Sequence, residues 1–230
     1  MRLFLRYIKD DPMQDFIVVT GIVIKQSPVG ESDRRVTILT NSRGKISAFA
    51  RGARKPNSRF SGTTCPFCFG SFKLYEGRDA YTIAEADIKN FFEEFRTDLD
   101  ASFYASYFAE ITDYYCRENN DERDMMKLFY QSLRALTKES LPNPLVRAVF
   151  ELKAIVINGE FPGAPEEMRL SDSALYTLEF IRTSPVESLY SFNLTENVLD
   201  EIKEVSKLYC NRYMNHRFKS LEILEINGES

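Results

Sequence analysis

An α+β protein is predicted, with a barrel of five short strands at the N-terminal end and an all-helical remainder. Three observations predict it. Apolar and polar residues alternate from Phe16 to about Asp87, broken by turns rich in Gly, Pro and Ser. From Phe91 onward the apolar spacing changes to the three-and-four pattern of helices. The charge divides at the same place. Residues 13–90 hold 12 basic and 7 acidic side chains, a net +5, whereas residues 91–230 hold 15 and 25, a net -10. The organisation expected is an extension at residues 1–12, a β domain at 13–90 and a helical domain at 91–230.

The first residues, MRLFLRYIKDDP, form a short basic and apolar start. They lack the long apolar core and small-residue cleavage site of a signal peptide. Met13 stands just before the first strand, so residues 1–12 read as an extension from an early start codon. FIVVTGIVIK is the first strand, with Gly21 expected to mark a bulge or sharp bend. SPVGES reads as a turn, RRVTILT as the second strand, NSRG as a turn and KISAFARGA as the third strand. A Gly/Pro/Ser loop through Arg59 follows. SFKLYEG and AYTIAEADI then form a hairpin across Gly77-Arg78-Asp79. Five such strands fit a small closed barrel of the OB type.

Five helices are expected beyond it. The first runs from Phe91 to about Glu118, with Phe95, Leu99, Phe103, Tyr107 or Phe108, Ile111 and Tyr115 on one stripe. ERDMMKLFYQSLRALTK is the second, and PLVRAVFELKAIVINGE, opened by Pro144, the third. SDSALYTLEFIRT begins on a Ser-Asp cap, and a last helix capped by Thr195 continues to Phe218.

Composition removes several classes of function. At 230 residues and 43% hydrophobic the chain can bury a real core, yet no run reaches about 18 apolar residues, so no membrane span is expected. Cys65, Cys68, Cys116 and Cys210 do not make a secreted disulfide framework in a chain this long, which points to a reducing, cytoplasmic compartment. Arg43-Gly44-Lys45 is not a Walker loop, because Ile46 follows the lysine and Leu39 stands where the first glycine belongs. Cys65-Pro-Phe-Cys68 has no second pair and leads into a strand, so ordinary thiols are expected there rather than zinc or a thioredoxin motif. His216 has no nucleophile in a recognisable elbow, and the paired acids Glu93-Glu94 and Glu166-Glu167 diverge on a helix. No catalytic residue, metal or cofactor is expected.

The stretch from Arg34 to Arg59 carries eight basic residues and no Asp or Glu, inside a chain of net charge -4. Val36, Ile38, Ile46, Ala48 and Ala50 alternate through it, giving one buried and one open face. A basic strand face beside an Arg/Lys loop is the layout for binding a phosphate backbone. Phe49, Phe60 and Tyr75 lie on or near it, where base stacking competes with packing in the barrel core.

These stretches resemble the RecO family of bacterial DNA repair and recombination mediators. The resemblance rests on TGIVIKQSPVGESDRRVTILTNSRGKISAFARGARKPNSRFSG, SFKLYEGRDAYTIAEADI, YASYFAEITD and ELKAIVINGEFP, and weakens after about Pro165. It implies an N-terminal OB fold, a helical C-terminal domain and binding of single- and double-stranded DNA. Annealing of complementary strands is implied too, as is loading of RecA together with RecR and the single-stranded-DNA-binding protein in the nucleoid. On this resemblance the DNA-binding residues are Arg34, Arg35, Lys45, Arg51, Arg54, Lys55 and Arg59. The acidic tail of the single-stranded-DNA-binding protein is expected on the helical domain, and Arg134, Arg147 and Lys153 are candidates chosen from helix charge. Many members carry a four-cysteine zinc module after the segment corresponding to NGEFP. Here no cysteine follows until Cys210, so the module is expected to be absent. The alternative function, from a different class, is an OB adaptor whose main ligand is an acidic protein tail.

Overall fold

A computed structural model describes residues 16–227. The extension expected at residues 1–12 and the start at Met13 lie outside the described residues. Five strands close a barrel in the order β1-β2-β3-β5-β4, with β1 at Phe16–Val29, β2 at Asp33–Thr40, β3 at Gly44–Ala50, β4 at Phe69–Tyr75 and β5 at Tyr81–Asn90. All neighbours are antiparallel except β3 and β5, which meet in parallel through Ala48–Tyr81 and Phe49–Thr82. β1 is long enough to serve two partners. Its first half pairs with β4 and its second half with β2. The strand also runs on through Ser27-Pro28-Val29, so the turn expected over SPVGES shrinks to its last three residues.

Alternation in the sequence becomes the wall of the barrel. Val19, Val23, Val36, Ile38, Ile46, Ala48, Phe72, Leu74 and Ile83 point inward and are buried together. Each large side chain so buried contributes about 1.5–3 kcal/mol. Gly21 is not the bulge. The register break in β1 falls between Val23 and Lys25. Gly21 instead allows a close approach, since a Cβ there would lie 2.6 Å from the Leu39 carbonyl oxygen. A single turn of helix, α1 at Phe60–Thr63, interrupts the loop before β4.

The helical body starts with a 3-10 turn at Glu93–Arg96, then α2 at Leu99–Tyr115, α3 at Arg123–Leu136, α4 at Asn143–Ile157, α5 at Asp172–Thr183, α6 at Glu196–Tyr213 and α7 at Lys219–Asn227. The first expected helix is thus two elements. The Asp98 carboxylate caps α2 by accepting from the Ala101 amide at 2.9 Å, which leaves Leu99 at the helix entrance and 68% exposed instead of on the core stripe. The Ser171 hydroxyl caps α5 as expected, accepting from the Ala174 amide. Thr195 precedes α6 without a side-chain cap. The last expected helix breaks at Met214, where ψ is 75°, and α7 follows separately.

α4 is buried along most of its length and is flanked by α2, α3, α5 and α6. It buries two charges and satisfies both. Glu151 accepts from the Tyr107 hydroxyl at 2.8 Å, from Arg147 Nε at 2.9 Å and from the Ser206 hydroxyl at 2.5 Å. The Lys153 ammonium donates to the carbonyls of Ile181, Arg182 and Ser184 at 2.8–3.1 Å, capping the C-terminal end of α5 with positive charge.

The barrel does not stand apart from this body. Ile22, Ile24 and Leu39, on the outside of the barrel wall, are buried in the same apolar cluster as α2, α3 and α4. The β2–β3 turn docks on the α2–α3 connection as well. The Lys45 amide donates to the Arg117 carbonyl at 3.0 Å, and the Asn119 amide donates to the Arg43 carbonyl at 3.1 Å. Gly44 sits between these two bonds with φ +62°, and a Cβ there would lie 2.3 Å from the Arg117 carbonyl oxygen.

Candidate nucleic-acid interface

On the outward face of β1, β2 and β3 the register sets Ser27 beside Arg35, Arg35 beside Phe49, and Lys25 beside Thr37 beside Ser47. Lys45 follows one step along β3, opposite Leu39. Lys25, Ser27, Arg35, Thr37, Lys45 and Ser47 line a cleft of about 350 Å³, closed on one side by Asp113 of α2 and Glu118. Arg35 Nε donates to the Ser47 hydroxyl at 2.6 Å, and its guanidinium carbon lies 5.9 Å from the Phe49 ring centre. The cleft is therefore floored by hydroxyls and cations with one half-buried ring beside them, a surface suited to phosphate oxygens and a stacked base.

The Arg/Lys loop stands at the rim. Asp33 accepts from the Gly52 amide at 2.7 Å, the Arg54 amide donates to the Ser32 carbonyl at 2.9 Å, and the Arg54 guanidinium donates to the Gly30 carbonyl at 3.0 Å. The loop is thus pinned against the β1–β2 turn, with Arg51, Arg54 and Lys55 exposed. Arg34 donates to the Ser61 carbonyl and the Thr64 hydroxyl, and Arg59 to the Ala84 carbonyl. These partners are neutral, so they fix the cations in place without cancelling their charge.

Among the described residues, Arg34, Arg35, Arg51, Arg54, Lys55 and Arg59 form no ion pair with an acidic side chain, whereas Lys45 pairs with Asp113 at 2.8 Å. The arginines of the helical body are spent differently. Arg123 pairs with Asp121, Arg147 with Glu151, Arg182 with Glu179, Arg212 with Glu167 and Arg217 with Glu222.

The other candidates are also placed. Phe60 is buried in the barrel core beneath the Arg59 guanidinium, and Tyr75 is half-buried on β4, away from the cleft. Lys153 is buried on the end of α5, and Arg147 is held by Glu151 over the Tyr107 ring. Both are anchors of the helical core, which leaves Arg134 as the exposed one of the three. Cys65 and Cys68 face the carbonyls of Ser61 and Gly62, and burial beside Cys65 pushes the Cys68 thiol up to about 11. Among the described residues no group of three or more His, Cys, Asp and Glu is placed to hold a metal. His216 stacks on Tyr114 with ring centres 5.4 Å apart.

Sequence reasoning missed Lys25 and Ser27 of β1, and passed over Thr37 and Ser47, whose outward parity was legible but which carry no charge. The irregularity between Val23 and Lys25 resets the alternation of β1, so counting by twos from Phe16 assigns its second half to the wrong faces. Asp113 left no signal at all, because its neighbourhood with Lys45 exists only in three dimensions.

A closed five-stranded barrel whose β2–β3 face is open and basic, seated on a helical body, defines an OB-type protein. Sequence comparison then places it. The family profile described as Recombination protein O N terminal matches residues 13–92, and the one described as Recombination protein O C terminal matches residues 96–164 and 157–222. The chain belongs to the RecO family. It is 29% identical over 244 residues to the DNA repair protein RecO of Acetivibrio thermocellus, covering 92% of this chain and 97% of that protein. It is 27% identical over 239 residues to the DNA repair protein RecO of Clostridium acetobutylicum, covering 91% and 97%. No helix among the described residues is long and apolar enough to cross a membrane.

Proposed function

We propose that the chain binds single- and double-stranded DNA by its phosphate backbone, along the outer face of β1–β3 and the loop of Arg51, Arg54, Lys55 and Arg59. No bond is made or broken. Strand annealing, and RecA loading together with RecR, follow from holding strands on this face while the helical body carries partner contacts. Exposed Arg134 is the remaining candidate for the acidic tail of the single-stranded-DNA-binding protein. The observation that supports this most is the split in pairing. Arg34, Arg35, Arg54 and Arg59 of the barrel rest on carbonyls and hydroxyls, while Arg123, Arg182 and Arg212 of the helical body rest on carboxylates. Cations held in place but not neutralised are what counterion release at a polyanion requires.

Fluorescence anisotropy of a labelled, unstructured single strand, titrated at several salt concentrations, tests the reading. About five neutralised phosphates give a log–log salt slope near -3.5. The Arg51→Ala/Arg54→Ala chain is expected to bind about thirtyfold more weakly, from two charged contacts of about 1 kcal/mol each, and to melt no more than about 4 °C lower for the lost bond to the Gly30 carbonyl. Binding that ignores salt, or a double variant that binds like the native chain, refutes it. An acidic peptide that binds while no nucleic acid does would assign the face to a protein tail instead.

A further inference from the structure

Building on the nucleic-acid reading of the barrel face, we propose that the Asp113 carboxylate occupies a phosphate subsite between Lys25 and Lys45 and gives way to a strand's phosphodiester. Asp113 belongs to α2 of the helical body, yet its carboxylate lies in the cleft of the barrel. One oxygen meets Lys45 of β3 at 2.8 Å, and the other meets Lys25 of β1 at 3.6 Å. Two lysines on different strands, each facing one oxygen of a single anion, reproduce what the two non-bridging oxygens of a phosphodiester would find there. The hydroxyls of Ser27, Thr37 and Ser47 and the guanidinium of Arg35 line the same cleft.

The arrangement suits exchange. The Lys25 side chain is 66% exposed, so its pair with Asp113 is weak and free to turn to another anion. Lys45 is 20% exposed and also donates to the Asp113 backbone carbonyl at 2.6 Å, which holds the ammonium in place after the carboxylate leaves. Asp113 itself is 32% exposed, which leaves its carboxylate a way into water. Replacing one anion by another leaves neither lysine unpaired. The helical body thereby sets the affinity of the barrel face, lowering it for weakly held strands.

The test compares the full native chain with Asp113→Asn, which keeps the side-chain shape and removes the charge, by anisotropy on a labelled oligothymidylate across a salt series. Asp113→Asn is expected to bind about 3- to 10-fold tighter, the range for releasing two partly exposed ion pairs. Its salt slope should steepen by about 0.7 for each added phosphate contact. Adding Lys45→Met to Asp113→Asn should remove the gain. Glu204→Gln removes the same charge from an exposed position on α6, outside the cleft, and should change affinity by less than about twofold.

Equal or weaker binding by a natively melting Asp113→Asn chain overturns the subsite, as does an equal gain from Glu204→Gln. Should Asp113→Asn fail to fold, Lys25→Met decides: weaker binding with a shallower slope supports the subsite, and unchanged binding removes it. If the native chain binds and Asp113→Asn merely matches it, only the subsite falls. If neither binds at any salt, the nucleic-acid reading falls with it.

Discussion

Gly44→Val is expected to lower the free energy of unfolding by about 3–5 kcal/mol and the melting temperature by about 10 °C. Two penalties combine. A β-branched residue at φ +62° costs about 1–3 kcal/mol of backbone strain. The new Cβ would also stand 2.3 Å from the Arg117 carbonyl oxygen and 2.9 Å from that of Asn120. Something must shift, and what shifts is the seam between barrel and helices, where the Lys45 amide and the Asn119 amide each lose a hydrogen bond of about 1 kcal/mol. Thermal or urea unfolding followed by circular dichroism measures this. A loss below about 1 kcal/mol would mean that the turn is not held where the structure holds it. The position also bears on function, because the same turn carries Lys45 into the cleft.

Glu151→Ala is expected to cost a similar amount, about 3–5 kcal/mol, because it breaks a buried pair from one side. Arg147 and the hydroxyls of Tyr107 and Ser206 all converge on that carboxylate at 2.5–2.9 Å. Its removal takes the carboxylate from the Arg147 guanidinium and leaves a fully buried phenol without that acceptor. Burial, with Glu151 beside it, pushes the Tyr107 phenol well above its ordinary range in the native chain, so it is a neutral donor that needs an acceptor. Glu151→Gln keeps the volume and one acceptor oxygen but puts an amide nitrogen in place of the other, so it loses the charge and one hydroxyl's acceptor and should cost less than Glu151→Ala. Equal losses for the two substitutions would assign the whole effect to charge and pairing, since Gln restores the volume that Ala removes. DNA binding by the folded fraction should be unaffected in both, since the proposed site lies on the barrel.

Much of the barrel was legible because its information is local. Alternation at Val36, Ile38, Ile46, Ala48 and Ala50 gives the inward face directly, and the same parity turns Arg35, Lys45 and Ser47 outward. What escaped depends on contacts distant in the chain. The break after Val23 is imposed by pairing with β2, and composition does not mark it. Leu99 has helical spacing but falls at a helix entrance fixed by the Asp98 cap. Lys153 looks like a surface cation until the end of α5 is folded over it. Charge counting marks the basic run as a block but cannot separate cations resting on neutral oxygens from Lys45, which faces a carboxylate.

The β3–β5 contact has a kinetic consequence. Every other seam of the barrel is an antiparallel ladder, while this parallel one is closed by Ala48–Tyr81 and Phe49–Thr82 alone. It joins strands that are not neighbours in sequence and offers the fewest bonds against the entropy of closing the intervening loop. The ring therefore completes here last and opens here first. Phe49, which lines up with Arg35 across β2 and β3, sits on that seam. Amide deuterium exchange around Phe49 and Thr82 should outpace that of the β1–β2 ladder, marking a gate through which the platform breathes without the rest of the molecule unfolding.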